Sequence, residues 1–259
     1  MILTYDVGNT NIVVGLFDGD AIVGRWRFTT RRERTADEMR LEARGALAEA
    51  KVAPGAIEGV AVASVVPSLQ PALAEGLRSL VDCDILWIDA RTSPIRLDVD
   101  DPWSVGADRI VDCVAGHALY GGPLLVIDFG TAITFNLVSK DGAFQGGAIA
   151  PEMRLAADAL AQRAAQLFST SLDAPATVIG RTTASNLRAG LVLGFFDLVA
   201  GLIARFRAEA DPALRVLATG GKGALYAEHI DAIEFYDPDL TLKGLRLCWD
   251  KSHKAPGRR

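Results

Sequence analysis

Two short segments place a carboxylate beside a glycine and a group of small polar side chains. Asp6-Val7-Gly8-Asn9-Thr10 lies near the start, and Asp128-Phe129-Gly130-Thr131 answers it about half the chain later. A strand that ends in Asp and turns through Gly presents backbone N–H groups. With no Cβ at Gly8 or Gly130, a phosphate can approach the main chain closely. Asn9, Thr10, Thr131 and Thr134 add side-chain donors. A bare carboxylate next to a polyphosphate is repelled by about 4 kcal/mol per unit-charge pair at 4 Å and an effective dielectric of 20. Asp6 and Asp128 therefore imply a cation, and Mg²⁺ held by few carboxylates plus water and phosphate oxygens meets that need. A single Asp-x-Gly can be an ordinary hairpin turn; its recurrence in matching surroundings favours the binding reading.

A second constellation is Val105-Gly106-Ala107-Asp108-Arg109. Ser104 is a candidate N-cap, and the spacing of Val105, Ile110, Val111 and Val114 predicts a helix to about Leu119. Asp108 in its first turn is either a general base or a residue that only complements the helix dipole. Arg109 beside it has the planar fork that clamps a carboxylate. Thr219-Gly220-Gly221, at a predicted strand end, is either a place for a flat adenine ring or a tight turn. There is no Gly-x-x-x-x-Gly-Lys-Ser/Thr loop, no Gly-x-Gly-x-x-Gly fingerprint and no Gly-x-Ser-x-Gly elbow. His117, His229 and His253 lack zinc spacing, and His117 and Cys113 read as packing residues.

The elements that must carry these residues repeat as well. Each Asp-x-Gly segment is preceded by an apolar run and followed by another, Ile12 to Phe17 and Ile133 to Val138. Asp18-Gly19 and Asp141-Gly142 close those runs as hairpin signals. Helices are predicted over Thr35 to Ala50, where Thr35 and Glu38 form a capping box, and over Ser68 to Leu80. Others are predicted over Glu152 to Leu167, Ala184 to Ala208 and Leu240 to Trp249. Strands are predicted at Val60 to Ser64, Ile85 to Ile88 and Arg215 to Thr219. The pattern gives two related α/β domains, residues 1–117 and 118–259, with a basic, frayed tail from Lys251 to Arg259. The apolar segment Gly190 to Phe206 is broken by Asp197, too short to span a bilayer, and is either a core helix or an interface helix.

Composition sets the outer limits. In 259 residues, 50% are hydrophobic and 23% charged, ordinary globular usage. The 27 basic and 32 acidic side chains leave a net charge of −5, against an electrostatic nucleic-acid binder. Three scattered cysteines point to a reducing compartment without disulfides. The start has no basic segment and meets Asp6 at once, unlike a signal peptide. The expected protein is cytoplasmic, with no membrane partner.

Six motifs in order give the chain a relative. Asp6-Val7-Gly8-Asn9-Thr10-Asn11, Gly106-Ala107-Asp108-Arg109, Asp128-Phe129-Gly130-Thr131, Gly146-Gly147-Ala148-Ile149-Ala150-Pro151, Gly180-Arg181-Thr182-Thr183 and Thr219-Gly220-Gly221 are together similar to the type III pantothenate kinases. These form the Bvg accessory factor family, within the acetate/sugar kinase–Hsp70–actin superfamily. The resemblance implies duplicated ribonuclease H-like (actin-like ATPase) domains with a nucleotide cleft between them. It implies ATP-dependent phosphorylation of pantothenate, the first step of coenzyme A biosynthesis, with Mg²⁺ and a monovalent cation, K⁺ or NH₄⁺. By the same resemblance Asp6, Val7, Gly8, Asn9, Thr10, Asn11, Ile12, Val13 and Thr131 bind ATP, and Asp128 is the monovalent-cation (metal) ligand. Gly106, Ala107, Asp108, Arg109 and Thr183 bind pantothenate, with Asp108 as proton acceptor and Thr183 reaching across a homodimer interface. Three positions differ from the family's usual residues: Val99 in place of Tyr, Glu152 in place of Gly, and Asp112 in place of Asn. Glu152 would be strained if its backbone needs positive φ, and it brings a negative charge toward the phosphates. The alternatives are a nucleotide-dependent regulatory protein with a weakened pocket, or a kinase for another carboxylated alcohol.

Overall fold

The computed structural model describes residues 1–163 and 171–254. They divide into two compact units. The first comprises residues 1–120, 142–145 and 239–254, and the second residues 121–141, 146–163 and 171–238. The terminal helix thus packs with the first unit.

In the first unit, β1 (Ile2–Val7), β2 (Asn11–Asp18) and β3 (Ala21–Thr29) form an antiparallel meander. Helix α1 (Ala36–Glu49) then leads to β4 (Gly59–Ser64), and α2 (Gln70–Arg78) leads to β5 (Ile85–Ile88). Strand β4 lies parallel to β1, and β5 parallel to β4, so the sheet order is β3-β2-β1-β4-β5. Helix α3 (Ala107–Tyr120) follows. Alternation along the central strands sorts the core into two layers. Leu3, Tyr5, Val7, Val60 and Val62 pack with Met39, Leu47, Leu73 and Leu77 of α1 and α2. Ile2, Ala61 and Ala63 on the opposite face meet Ile110 and Val114 of α3 and Leu245 and Trp249 of α7 (Leu240–Lys254). Helices α3 and α7 cross so closely that a Cβ at Gly244 would stand 2.1 Å from the Val111 carbonyl oxygen.

The second unit repeats the plan. Strands β6 (Leu124–Phe129), β7 (Ala132–Val138) and β8 (Phe144–Pro151) come first. After α4 (Met153–Arg163) and α5 (Thr183–Glu209), β9 (Arg215–Thr219) pairs parallel to β6. Helix α6 (Gly223–His229) connects to β10 (Phe235–Tyr236), which pairs parallel to β9. The order β10-β9-β6-β7-β8 is that of the first sheet. One face of β6, carrying Leu125, Ile127 and Phe129, packs on Val192, Phe196, Val199 and Ile203 of α5.

Most expected elements stand where the sequence placed them, including the Thr35–Glu38 capping box and hairpin turns with Gly19 and Gly142 at positive φ. Two differ. Ser104 does not cap α3. It ends a short 3₁₀ turn, Pro102–Ser104, where its hydroxyl donates to the Asp101 carbonyl, and α3 begins at Ala107. Lys251 to Lys254 are the last residues of α7 rather than part of a frayed tail. Residues 164–167 of the expected Glu152–Leu167 helix, and residues 255–259 of the expected tail, lie outside the described residues. Helix α5 is long and apolar enough by composition to cross a membrane, yet Leu191, Val192, Phe195, Phe196, Val199 and Ile203 are core residues.

Candidate active site

The two Asp-bearing turns are built alike. Asp6 pairs with Val13 on β2 and with Ala63 on β4. Asp128 pairs with Thr134 on β7 and with Thr219 on β9. Each carboxylate therefore lies one residue before the end of the central strand of its sheet, between a hairpin and a parallel neighbour. The Gly8 amide donates to the Asn11 carbonyl at 3.0 Å, and the Gly130 amide to the Ala132 carbonyl at 3.1 Å. These two N–H groups close their own turns, which corrects the expectation that they point outward. Asn9, Thr10 and Thr131 are exposed at the tips. Thr30, which the sequence did not single out, braces the first turn. Its hydroxyl donates to the Gly8 carbonyl at 2.7 Å and its amide to the Thr10 carbonyl at 2.9 Å. No motif marks it, because it acts from the end of a neighbouring strand.

Gly106 and Ala107 line a cavity of about 450 Å³ in the first unit, together with Ser64, Val65, Ile88 and Trp103. Its walls come from the loops that follow β4 and β5. Asp108 folds back on this wall: a Cβ at Gly106 would meet its Oδ1 at 2.5 Å, and that same oxygen accepts the Arg109 amide at 2.8 Å. Burial pushes the Asp108 carboxyl up from the ordinary carboxylate value, partly offset by the Arg109 amide and guanidinium. A raised pKa makes the carboxylate a stronger proton acceptor. The Arg109 guanidinium lies 5.0 Å above the Phe144 ring. Phe144 reaches this place because its amide donates to Arg96 and its carbonyl accepts from Asp98, a long-range pairing with no local sequence signal. Burial also pulls the Arg109 pKa down.

In the second unit, Gly220 is pressed against the Asp128 turn. Its φ is +84°, and a Cβ there would lie 2.3 Å from Asp128 Oδ1 and 2.7 Å from the Phe129 carbonyl. Only glycine fits both constraints. The Tyr236 hydroxyl donates to the Gly220 carbonyl at 3.3 Å. Phe129 stacks on Tyr226 of α6, with centroids 4.1 Å apart. The weak Thr219-Gly220-Gly221 signal thus belongs to the same small structure as Asp128. Thr183 is exposed and opens α5 directly after its N-cap, Thr182.

Two of the three unusual positions, Glu152 and Asp112, have polar partners. Glu152 is not in the left-handed region, so the expected strain is absent. It is buried, its Oε2 accepts the Arg154 amide at 2.7 Å, and its Oε1 lies 2.5 Å from Lys222 Nζ. Asp112 is buried and accepts the Thr241 hydroxyl at 2.7 Å, joining α3 to α7. Val99 is half-buried. Among the described residues no three His, Cys, Asp or Glu side chains cluster. Single carboxylates such as Asp6 and Asp128 suit a hard cation that keeps water and phosphate oxygens as its other ligands.

A sequence profile described as "Type III pantothenate kinase" matches residues 2–205. A type III pantothenate kinase of Thermomicrobium roseum is 41% identical over 99% of this chain and 100% of its own length. One from Moorella thermoacetica is 42% identical over 97% and 100%. Among solved structures, a Baf family protein from Campylobacter jejuni superposes with a TM-score of 0.62 at 20% identity, covering 97% of this chain and 99% of that one. The ROK hexokinase of Thermus thermophilus gives 0.53 at 16% identity over 95% and 97%. At these identities the structural likeness speaks for the fold, the duplicated ribonuclease H-like plan of actin-like ATPases and sugar kinases. On full-length identity above 40% and a profile match over most of its residues, this chain belongs to the type III pantothenate kinase family.

Proposed function

We propose that this chain transfers the γ-phosphoryl group of ATP to pantothenate, forming 4'-phosphopantothenate and ADP. The observation that carries the reading is the half-buried Asp108 carboxylate, packed on Gly106 of a cavity wall, in a chain that shares nearly its whole length with pantothenate kinases. Asp108 accepts the proton of the primary hydroxyl as its oxygen bonds to the γ-phosphorus. The bond from that phosphorus to the bridging oxygen breaks, and its electron pair leaves with ADP. Arg109, held over Phe144, binds the pantothenate carboxylate. The Asp6–Val13 turn and Thr131 bind ATP. Asp6 and Asp128 are the carboxylates available to Mg²⁺ and to a monovalent cation such as K⁺. Such ions neutralise phosphate charge, while positioning by the protein supplies most of the rest.

The partner assignment is a homodimer. The face of α5 turned from the core carries exposed Gly190, Gly194, Gly201 and Ala204, over which a second helix can approach closely. Ile149, Leu155, Val178 and Ile179 are also exposed in this unit. Thr183 would serve the partner's pantothenate site. The free cysteines Cys83, Cys113 and Cys248 suit the cytoplasm.

A coupled assay of ADP release, with and without pantothenate, with Mg²⁺ present and K⁺ varied, tests this reading. Pantothenate-dependent turnover supports it. Nucleotide binding without pantothenate stimulation refutes it and restores the regulatory alternative, which loses one of its supports because Glu152 does not adopt a positive φ.

A further inference from the structure

We propose that Lys222 is a phosphate-binding cation of the nucleotide site and that Glu152 is the positioning residue that aims it. The proposal rests on the reading that the Asp128–Thr131 turn holds a polyphosphate. Lys222 follows Gly220-Gly221, and Gly220 is pressed onto Asp128 and Phe129 more closely than any Cβ allows. The turn is fixed from its other side by the Tyr236 hydroxyl on the Gly220 carbonyl. Gly223 continues that contact, since a Cβ there would meet the Tyr236 ring at 2.6 Å. The backbone carrying Lys222 is thus anchored within a few residues of the second phosphate turn. Only its four-carbon side chain retains freedom.

Glu152 removes that freedom. Its side chain is 5% exposed, whereas that of Lys222 is 41% exposed. The carboxylate is held at the start of α4 by the Arg154 amide, and the ammonium lies 2.5 Å from its other oxygen. The geometry is that of a close ion pair rather than an aligned hydrogen bond. A buried acid matched to a partly exposed lysine is a poor way to stabilise a fold, because an apolar pair commonly does as well. It is an effective way to hold a cation in one place. The ammonium has three donors, and its exposed side remains available to a ligand. A polyphosphate is the ligand chemistry that this cation and the adjoining turn share. Lys222 keeps its contact with Glu152 when the phosphate binds, since leaving would strand a buried carboxylate.

The test compares dissociation constants for ATP, AMP and adenosine in the wild type, Lys222→Met, Lys222→Arg, Glu152→Gln and the double variant Glu152→Gln/Lys222→Met. Losing one charge-assisted phosphate contact should weaken ATP about tenfold in Lys222→Met while adenosine changes less than about twofold. KM for ATP should rise in parallel, with kcat at saturating ATP retained. Lys222→Arg should recover most of the loss, and Glu152→Gln should weaken ATP by about threefold because the lysine is no longer aimed. The double variant carries no stranded charge, so it reports on ATP even if Lys222→Met does not fold. Equal losses for ATP and adenosine, or no loss for either, overturn the assignment. A wild-type chain that binds no ATP overturns the nucleotide reading beneath it.

Discussion

Replacing Asp108 with Asn should separate stability from catalysis in opposite directions. Burial raises the Asp108 carboxyl pKa in the folded chain above its unfolded value. The folded state then holds the proton to a higher pH than the unfolded state does. Stability therefore falls as pH rises between the two midpoints, and above both the ionised carboxylate is a constant cost. Each pH unit between them corresponds to about 1.4 kcal/mol, and each kcal/mol to about 2–4 °C in Tm for a chain of this size. Asn removes the charge, and its oxygen can still accept the Arg109 amide that Oδ1 now accepts at 2.8 Å. Asp108→Asn should thus melt higher than the wild type at pH 7.5, with the difference closing as pH falls below the carboxylate range. Turnover should drop by about 10²–10⁴-fold, the usual contribution of a positioned base, with ATP affinity little changed. In the wild type the acid limb of kcat/KM should sit above the ordinary carboxylate midpoint. Scanning fluorimetry across pH and steady-state kinetics on both proteins measure all of this. A lower Tm at pH 7.5, or kcat within a few-fold of wild type, would refute the reasoning.

Three further substitutions probe the other parts. Arg109→Ala should raise KM for pantothenate roughly 10- to 100-fold, the range for a lost charged hydrogen bond, and leave ATP affinity in place; an unchanged KM rejects the clamp. Gly220→Ala should lower Tm and weaken ATP together, because positive φ alone costs about 1–2 kcal/mol for a Cβ-bearing residue and the new methyl group meets the Asp128 turn. Equilibrium urea unfolding should show Thr241→Val destabilised by about 1–3 kcal/mol, since the buried Asp112 loses a hydroxyl donor, and a change near zero would remove this contact from the α3–α7 interface.

The elements were legible because local chemistry decides them. The Thr35–Glu38 box, the Asp18-Gly19 hairpin and the apolar run Ile85 to Ile88 each need only a few neighbouring residues to specify their structure. Both Asp turns were legible for the same reason and because they recur. What the sequence hid depends on distant partners. Thr30 matters through Gly8 and Thr10, and Phe144 through Arg96 and Asp98. Glu152 matters through Lys222, some seventy residues away in the chain. Read alone, Glu152 looked like a liability in both strain and charge. Its actual φ and its ion pair show that a residue's cost cannot be assigned before its partner is known. Ser104 failed in the opposite way: it has the right type for a cap, but the 3₁₀ turn at Pro102 places it two residues ahead of the cap position at Gly106.

Under the proposed function, the duplicated plan would let one architecture serve two ligands. In each unit the central Asp is matched across a parallel pair, Asp6 to Ala63 and Asp128 to Thr219. The next residue along the neighbouring strand is where the copies part. In the first unit it is Ser64, and the chain continues through Val65 into the wall of the cavity that Gly106 and Ala107 complete. In the second it is Gly220, whose φ of +84° brings the chain so near that a Cβ there would lie 2.3 Å from Asp128 Oδ1. Under the proposed function the first turn would sit beside the organic acceptor and the second beside a phosphate group. Enlarging Gly220 should consequently impair nucleotide binding, whereas filling the cavity at Val65 with Phe should raise KM for pantothenate and spare ATP. If Val65→Phe instead weakened ATP and left pantothenate untouched, the roles assigned to the two copies would have to be exchanged.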